Sequence, residues 1–199
     1  MRNKWAGLAV DHHDYAATAH DHASRQPPSH CLSRGIEMAI MKWALIVVAL
    51  VVITGLLAGQ LGLLKGTPPA DLGVHDGKLK APSKTPNSVS SQAQLYPDHP
   101  QRTYADIAPL PLKGDAAATM DRIASIIEGM SGVEIVKREP DYLYVQFTTR
   151  LMKYVDDAEF WFDPDSEVIQ VRSASRLGKS DLGVNRERIE FIRQKLDSA

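Results

Sequence analysis

A continuous apolar stretch near the N-terminus, residues 44–64, most constrains how this chain folds. Its 21 residues, ALIVVALVVITGLLAGQLGLL, carry no charge, and Gln60 is the one strongly polar side chain among them. A helix of this length extends about 31 Å, close to the hydrocarbon thickness of a bilayer. A helix in a soluble core is rarely apolar on every face. The stretch therefore predicts a single transmembrane helix, with Lys42, Trp43 and Lys65 as interfacial anchors.

The orientation of this predicted span follows from the length of the chain behind it. Basic residues flank the span in similar numbers on its two sides: Arg34, Lys42, Lys65, Lys78 and Lys80. The positive-inside rule therefore barely discriminates between the two orientations. Long segments translocate largely regardless of their charge, and residues 65–199 form such a segment. We expect a signal anchor with a short N-terminus inside and the C-terminal domain extracytoplasmic.

Composition excludes several classes of protein. The formal net charge is -1, which argues against a general nucleic-acid binder. The one cysteine, Cys31, can form neither an internal disulfide nor a thiolate zinc cluster. The apolar residues outside the span suffice for one compact domain.

Residues 1–37 form a leader that contains five of the seven histidines. These are His12, His13, His20, His22 and His30. The leader has no apolar periodicity and is predicted to be disordered. Two alternatives stand beside this interpretation. In the first alternative, translation begins at Met38 or Met41. In the second, close histidines such as His20 and His22 chelate a metal.

Residues 65–114 are rich in proline and hold eight of the twelve prolines in the chain. Proline fixes φ and removes a backbone donor, so this segment is neither a long helix nor a central strand. Within it, residues 80–91 carry more hydrogen-bonding groups than a spacer requires. We therefore expect an extended segment that packs on the folded domain.

The folded domain is predicted to comprise residues 115–199. Met120, Ile123 and Ile127 lie on one stripe of an amphipathic helix. Strand-like runs follow at residues 133–137, 142–151, 155–162 and 167–175. A second helix is predicted at 185–196, with Asn185 as its N-cap and Arg186 paired to Glu190.

Short connections between these strands impose antiparallel neighbours. The fold class is therefore α+β, a four-stranded antiparallel sheet covered by two helices. The core pattern places Phe160 opposite Ile169, because a slip of one residue would move one apolar set to the other face. That register puts Asp157 opposite Arg172.

Three segments resemble a known family. They read GV at 73–74 with LKAPSKTPNSVSS at 79–91, TRLMKYVDDAEF at 149–160, and VRSASRLGKSDLGVNRERIE at 171–190. Over residues 73–196 the chain resembles the family called domain of unknown function 1499 (DUF1499). Members of this family are found in bacterial membrane-associated proteins and in plastids. The predicted anchor lies outside this resemblance, and the two together lead us to expect a single-pass protein of the bacterial inner membrane with a periplasmic domain. The resemblance implies no activity, because none is established for the family.

Basic and serine residues between the last strand and the last helix form the best candidate site. The predicted ligand-binding residues are Arg172, Ser173, Ser175, Arg176, Ser180, Asn185 and Arg186. Arginine binds phosphate and carboxylate bidentately, and a helix N-terminus adds favourable partial charge. The alternative is that the arginines pair with acids of the domain, chiefly the cluster Asp156, Asp157 and Glu159.

The acidic cluster also raises the alternative of catalysis. A hydrolase or metal-dependent enzyme would use Asp157 and Glu159 with Arg172 and Arg176. Strand alternation, however, places Asp156 on the other face. Known nucleotide-binding, zinc-protease and serine-hydrolase motifs do not occur in the sequence. We therefore assign no catalytic residue, metal ligand or cofactor.

The remaining prediction is a non-enzymatic interaction module. Tyr142, Tyr144 and Trp161 fall on the sheet face that the two helices leave open, and aromatic residues among polar ones are typical of interfaces. The alternative is that the proline-rich segment covers this face. The expected partners are the membrane, crossed once, and either a membrane protein or a small anionic ligand.

Overall fold

The computed structural model of the chain describes residues 29–198, with side chains from residue 34 onward. Most of the histidine-rich leader, including the histidine pairs, lies outside the described residues. Its final part, residues 29–37, is helical where disorder was predicted.

Helix α1 (Ser29–Gln60) contains the apolar stretch. Within its part Arg34–Gln60, an 18-residue window has a mean hydropathy of 2.5, and this part is long and apolar enough to cross a membrane. A signal sequence near the N-terminus passes the same test. The helix ends at Gln60, so the last four residues of the predicted span, 61–64, form a turn instead. The contacts between residues separate the chain into two compact units, and the boundary between the units follows Ile46, inside α1. The first unit is helical as far as the structure describes it, and the second holds the rest of α1 and the whole sheet.

The sheet has six strands rather than the four predicted from sequence. Four of them are the predicted ones: β3 (Val133–Arg138), β4 (Tyr142–Thr148), β5 (Val155–Asp163) and β6 (Val168–Ser175). The two additional strands, β1 (Ser88–Ser90) and β2 (Leu110–Pro111), come from the proline-rich segment. The order is β1-β6-β5-β4-β3, and β2 also pairs with β6.

The two additional strands complete the outer side of β6. β1 pairs antiparallel with residues 172–174 and β2 with residues 168–169. Proline is compatible with such short edge strands, because its missing N–H can point away from the ladder. Between β1 and β2 the chain forms a 3-10 helix (Ala93–Leu95) and α2 (Arg102–Ala105). The proline-rich segment is thus part of the sheet as well as part of its cover.

Two helices, α3 (Ala116–Glu128) and α4 (Val184–Asp197), contribute to the main core with one face of the sheet. Asp115 caps α3 by accepting a hydrogen bond from the N–H of Ala118 at 2.7 Å. Ile123 and Ile127 of α3 and Ile189 and Ile192 of α4 are fully buried. This agrees with the predicted α+β arrangement of helices on an antiparallel sheet.

The predicted register between β5 and β6 is wrong by two residues. Phe160 lies opposite Val171, and Arg172 lies opposite Glu159 rather than Asp157. The predicted register would have closed the hairpin with a two-residue loop beginning at Pro164. Such loops need a positive φ at their first residue, whereas proline holds φ near −65°. The loop is instead four residues long, and a shift of two leaves every side chain on its predicted face.

The second face of the sheet is covered rather than open. Leu79 packs against Tyr142 and Trp161, and all three side chains are buried. The backbone N–H of Leu79 donates to the side-chain oxygen of Gln92 at 2.7 Å, which fixes this part of the segment. The predicted exposed aromatic surface therefore does not form at Tyr142 and Trp161.

Truncation of Leu79 tests whether the proline-rich segment belongs to the fold. We expect Leu79→Ala to lower the free energy of unfolding by about 2–5 kcal/mol, because it leaves a cavity beside two buried aromatic rings. Urea unfolding followed by tryptophan fluorescence measures this loss. Leu95→Ala is the matched control, since Leu95 is half exposed. Equal, small effects of the two substitutions would show that the segment is a tether.

Candidate functional site

The three acids of β5 lie inside the protein. Asp156, Asp157 and Glu159 are each at most 5% exposed. Strand alternation places Asp156 on the face of the two helices and the other two on the face that the proline-rich segment covers. A buried carboxylate is costly unless it is paired, so each acid needs a partner.

Asp157 is paired with Arg176, which follows the end of β6. Nε and Nη2 of Arg176 donate to the two carboxylate oxygens of Asp157 at 2.8 and 2.7 Å, a bidentate pair. The hydroxyl of Tyr144 donates to the same carboxylate at 2.5 Å. Burial, together with this hydrogen bond, raises the pKa of Tyr144. Both oxygens of Asp157 are therefore occupied by donors of the chain.

Glu159 connects the sheet to the segment that covers it. Its Oε1 accepts hydrogen bonds from the N–H of Gly73 at 2.7 Å and the hydroxyl of Tyr142 at 2.8 Å. Its Oε2 lies 3.6 Å from Nη1 of Arg172. Neither of these two atoms has a hydrogen-bond partner within the described part of the chain. Glu159 and Arg172 thus form a close but incompletely satisfied ion pair.

Arg172 is an almost completely buried arginine, with 3% of its side chain exposed. Its Nε donates a long hydrogen bond of 3.4 Å to the carbonyl oxygen of Ala81. Burial lowers the pKa of the Arg172 guanidinium, and the charges of Glu159 and Asp157 oppose that effect. An arginine held in this way neutralises neighbouring carboxylates.

Asp156 pairs with Arg188 of α4 on the other face of the sheet. Nη2 of Arg188 donates to the Asp156 carboxylate at 2.6 Å, and Nη1 donates to the side chains of Ser173 and Asn185. The guanidinium also lies over the ring of Phe147, 4.3 Å from its centroid. Arg188 was not among the site residues predicted from the sequence.

Asn185 is not the N-cap of α4, because the helix begins at Val184 and Gly183 holds the cap position with φ = 89°. Asn185 is instead buried in the first turn. Its side-chain amide donates to the carbonyl oxygen of Asn87 at 3.2 Å and accepts from the hydroxyl of Ser173 at 2.5 Å. The residue joins β6, α4 and the proline-rich segment.

The N-terminus of α4 is occupied by the carboxylate of Asp181. It accepts hydrogen bonds from the hydroxyl of Tyr104 at 2.6 Å and from the N–H groups of Gly183 and Asn185. Burial alone would raise the pKa of Asp181, but these hydrogen bonds outweigh it and lower the pKa below the ordinary value. An aspartate thus fills the position that the sequence assigned to an anionic ligand.

Arg186 lies apart from the other predicted site residues. Its guanidinium donates to the carbonyl oxygens of Tyr104 and Asp106, and it does not pair with Glu190 as predicted. Glu190 pairs with Arg193 instead, at 3.0 Å. Arg186 therefore fastens the segment before β2 to α4.

A groove of about 450 Å³ opens beside the loop between β6 and α4. Its lining includes Leu64, Tyr154, Ser175, Leu177, Ser180 and Val184. Of the predicted ligand-binding residues, Ser175 and Ser180 line this groove. Arg172, Ser173, Arg176 and Asn185 are not among the lining residues. The structure thus divides the predicted residues: Arg172 and Arg176 pair with Glu159 and Asp157, whereas Ser173 and Ser175 form a polar framework with Asn185.

Asn87 is a residue of this framework that sequence reasoning missed. Its side-chain amide donates to the carbonyl oxygens of Ser175 and Gly178, which ties the loop to the proline-rich segment. The signal that could have identified it was its position among hydrogen-bonding residues of that segment. Within residues 29–198, no group of three or more His, Cys, Asp or Glu residues is placed to hold a metal ion.

Comparison with known proteins gave one result. The family model described as "Protein of unknown function (DUF1499)" matches residues 78–196, more than half of the chain. No curated protein and no solved structure matches the chain.

Removal of Arg176 tests how strongly the fold depends on its buried pair with Asp157. We expect Arg176→Met to lower the free energy of unfolding by about 3–5 kcal/mol, because Asp157 is left as an uncompensated buried charge. The double variant Arg176→Met/Asp157→Leu should recover most of that loss, since apolar residues replace the whole pair. Urea unfolding of the single and double variants measures both effects.

Arg138→Met is the matched control for this cycle. Arg138 pairs with Asp121 at the surface, where 46% and 71% of the two side chains are exposed. Such a pair contributes about 1 kcal/mol or less. Similar losses for Arg138→Met and Arg176→Met would contradict a structural role for the buried pair.

Proposed function

This chain belongs to the DUF1499 family, and we propose that it is a membrane-anchored binding module that acts without catalysis. The observation that carries the proposal is the mutual neutralisation of its buried acids and arginines. General acid–base chemistry needs a carboxylate that faces a substrate. Asp157 and Glu159 instead hold Arg176 and Arg172 inside the fold, and Asp156, which reaches the lining of the groove beside the loop between β6 and α4, is paired with Arg188.

The groove beside the loop between β6 and α4 is the binding surface in this proposal. Leu177 and Val184 line it with apolar surface, and Ser175 and Ser180 line it with hydroxyl groups. Two carboxylates, Asp156 and Asp181, also reach the lining, but each accepts hydrogen bonds from donors of the chain. The exposed Lys179 lies in sequence between Gly178 and Ser180, which both line the groove. This combination fits an amphipathic anion whose charged group meets Lys179 and Ser180. The other predicted residues, Arg172, Ser173, Arg176 and Asn185, do not line the groove and are held by ion pairs and hydrogen bonds inside the fold. Arg186 secures the neighbouring segment.

The proposed position of the domain rests on α1. A helix apolar enough to span a membrane, followed by a long folded segment, favours a single-pass anchor with the domain on the extracytoplasmic side. In a bacterium this is the periplasmic side of the inner membrane. Tethering would confine the binding surface to a thin layer near the bilayer and raise its effective concentration there.

A hydrolase or metal-dependent enzyme that uses Asp157 and Glu159 with Arg172 and Arg176 is the second candidate. The observation that favours it is the orphaned pair of buried atoms, Oε2 of Glu159 and Nη1 of Arg172. A buried polar group without a partner costs free energy and calls for an explanation. Against it, the covering segment separates these atoms from solvent.

Thermal unfolding of the full chain in nanodiscs tests the binding proposal. We expect hexyl phosphate to raise the midpoint by several degrees, because a ligand at 100 times its dissociation constant adds about 2.7 kcal/mol. Ser180→Trp should abolish the shift by filling the groove, and Ser125→Trp on the exposed side of α3 should retain it. A shift that survives Ser180→Trp, or no shift at all, would contradict the proposal. Hydrolysis of hexyl phosphate that disappears in Asp157→Asn would favour the enzyme.

Cysteine labelling tests the proposed orientation. The chain has one cysteine, Cys31, on the N-terminal side of the apolar part of α1. In spheroplasts, a membrane-impermeant maleimide should label Ser198→Cys in a Cys31→Ser background. The natural Cys31 should be labelled only after lysis. The reverse pattern would place the domain in the cytoplasm, and loss of Cys31 from the mature chain would show a cleaved signal sequence.

A further inference from the structure

The loop between β4 and β5, residues 149–154, packs directly on the end of α1. Gly59 is buried, and a Cβ added to it would lie 2.6 Å from the carbonyl oxygen of Met152. The side-chain amide of Gln60 donates to the carbonyl oxygen of Leu151 at 3.2 Å. Because glycine has no side chain, Gly59 allows the loop to approach the helix this closely.

The contact extends into the apolar part of the helix. The terminal methyl group of Met152 lies 3.7 Å from the position of a Cβ on Gly55. Gly55 precedes the end of α1 by about 7.5 Å at 1.5 Å per residue. After α1 the chain continues with Leu61 and Leu63, both exposed. When α1 spans a bilayer, the loop therefore lies beside a level of the helix that is itself within the bilayer or its interface.

Several large apolar side chains near this contact are exposed, and packing within the domain does not account for their exposure. Leu151 is 65% exposed and Leu182 is 90% exposed. Leu182 also has φ = 54°, a left-handed conformation that costs a leucine about 1–2 kcal/mol. Leu177 and Val184 are exposed nearby and line the groove with Leu64. The patch is thus continuous with the end of the membrane helix.

Four cations accompany these apolar residues: Lys65, Arg150, Lys153 and Lys179. They form no ion pair within the described residues. Apolar side chains that enter a bilayer and cations that remain among the headgroups are the two components of interfacial membrane binding.

We propose that loop 149–154 enters the headgroup region of the bilayer beside α1, and that the groove-bearing face lies on an anionic lipid surface. Leu151, Met152 and Leu182 contact acyl chains, and Arg150 and Lys179 contact lipid phosphates. The amphipathic anion of the proposed function is then a lipid of the membrane that holds the anchor. This inference rests on the proposed function, because it requires α1 to span the bilayer.

Depth-dependent fluorescence quenching of the full chain tests the proposal. In a Cys31→Ser background, single cysteines carrying a bimane label replace Leu151, Leu182, Ser166 and Val47. The protein is reconstituted into vesicles of phosphatidylcholine and phosphatidylglycerol that contain lipids with nitroxide-labelled acyl chains. We expect strong quenching at positions 151 and 182 and little quenching at position 166, in the exposed turn between β5 and β6. Aqueous iodide should give the opposite order.

The Val47→Cys probe distinguishes a failure of the inferred loop insertion from a failure of the proposed membrane anchor. Quenching at position 47 without quenching at 151 and 182 would overturn this inference while leaving the anchor intact. Absence of quenching at position 47 would overturn both the anchor and the inference. Quenching at all three positions supports both.

Two further variants test the packing of the loop on α1 and the attraction of the loop to anionic lipid. Gly59→Leu should decrease quenching at position 151 and leave position 47 unchanged, because the new side chain displaces the loop. Arg150→Glu should decrease quenching at position 151 in vesicles with phosphatidylglycerol more than in vesicles of phosphatidylcholine alone. Lys195→Glu, at the far end of α4, is the charge-matched control. Equal effects of Arg150→Glu and Lys195→Glu would contradict recognition of anionic lipid at the loop.

Discussion

The carboxylates of β5 and the arginines that meet them form the interaction on which the rest of this structure depends. Taking a carboxylate and a guanidinium out of water costs several kcal/mol per ion, and only close pairing with additional hydrogen bonds offsets that cost. The pairs of Asp157 with Arg176 and of Asp156 with Arg188 meet this condition at 2.6–2.7 Å. The pair of Glu159 with Arg172 meets it less completely, at 3.6 Å, and depends on neighbouring donors.

Because these pairs are buried on both faces of one strand, they join parts of the chain that are remote in sequence. Glu159 holds the backbone of Gly73, and Arg172 contacts the carbonyl oxygen of Ala81. Arg188 connects α4 to β5. The arrangement explains why a proline-rich segment without long elements has a defined position. It also gives the loop between β6 and α4 a rigid base, and a rigid base favours a preorganised binding surface over a mobile one.

Much of the fold was accessible from the sequence, because helices and the strands of hairpins depend on residues that are close together in the chain. The amphipathic stripe of α3 and the strand-like runs at β4 and β5 identified those elements to within a few residues. Strands β1 and β2 were not identified, because two or three residues carry no periodicity and their partner lies more than fifty residues away. The register of β5 and β6 was also missed, since apolar patterning alone does not distinguish shifts of two residues.

The sequence by itself determined the apolar helix, the family, the fold class and the presence of acids and arginines in and around β5 and β6. It left open whether the arginines face a ligand or the acids. Only the tertiary structure decided which atoms meet: it placed Arg172 against Glu159, Arg176 against Asp157 and Asp181 at the start of α4. The physical reason is that pairing of charges depends on register and on burial from both faces. Both are set by contacts between distant segments, which a local pattern of residues does not contain.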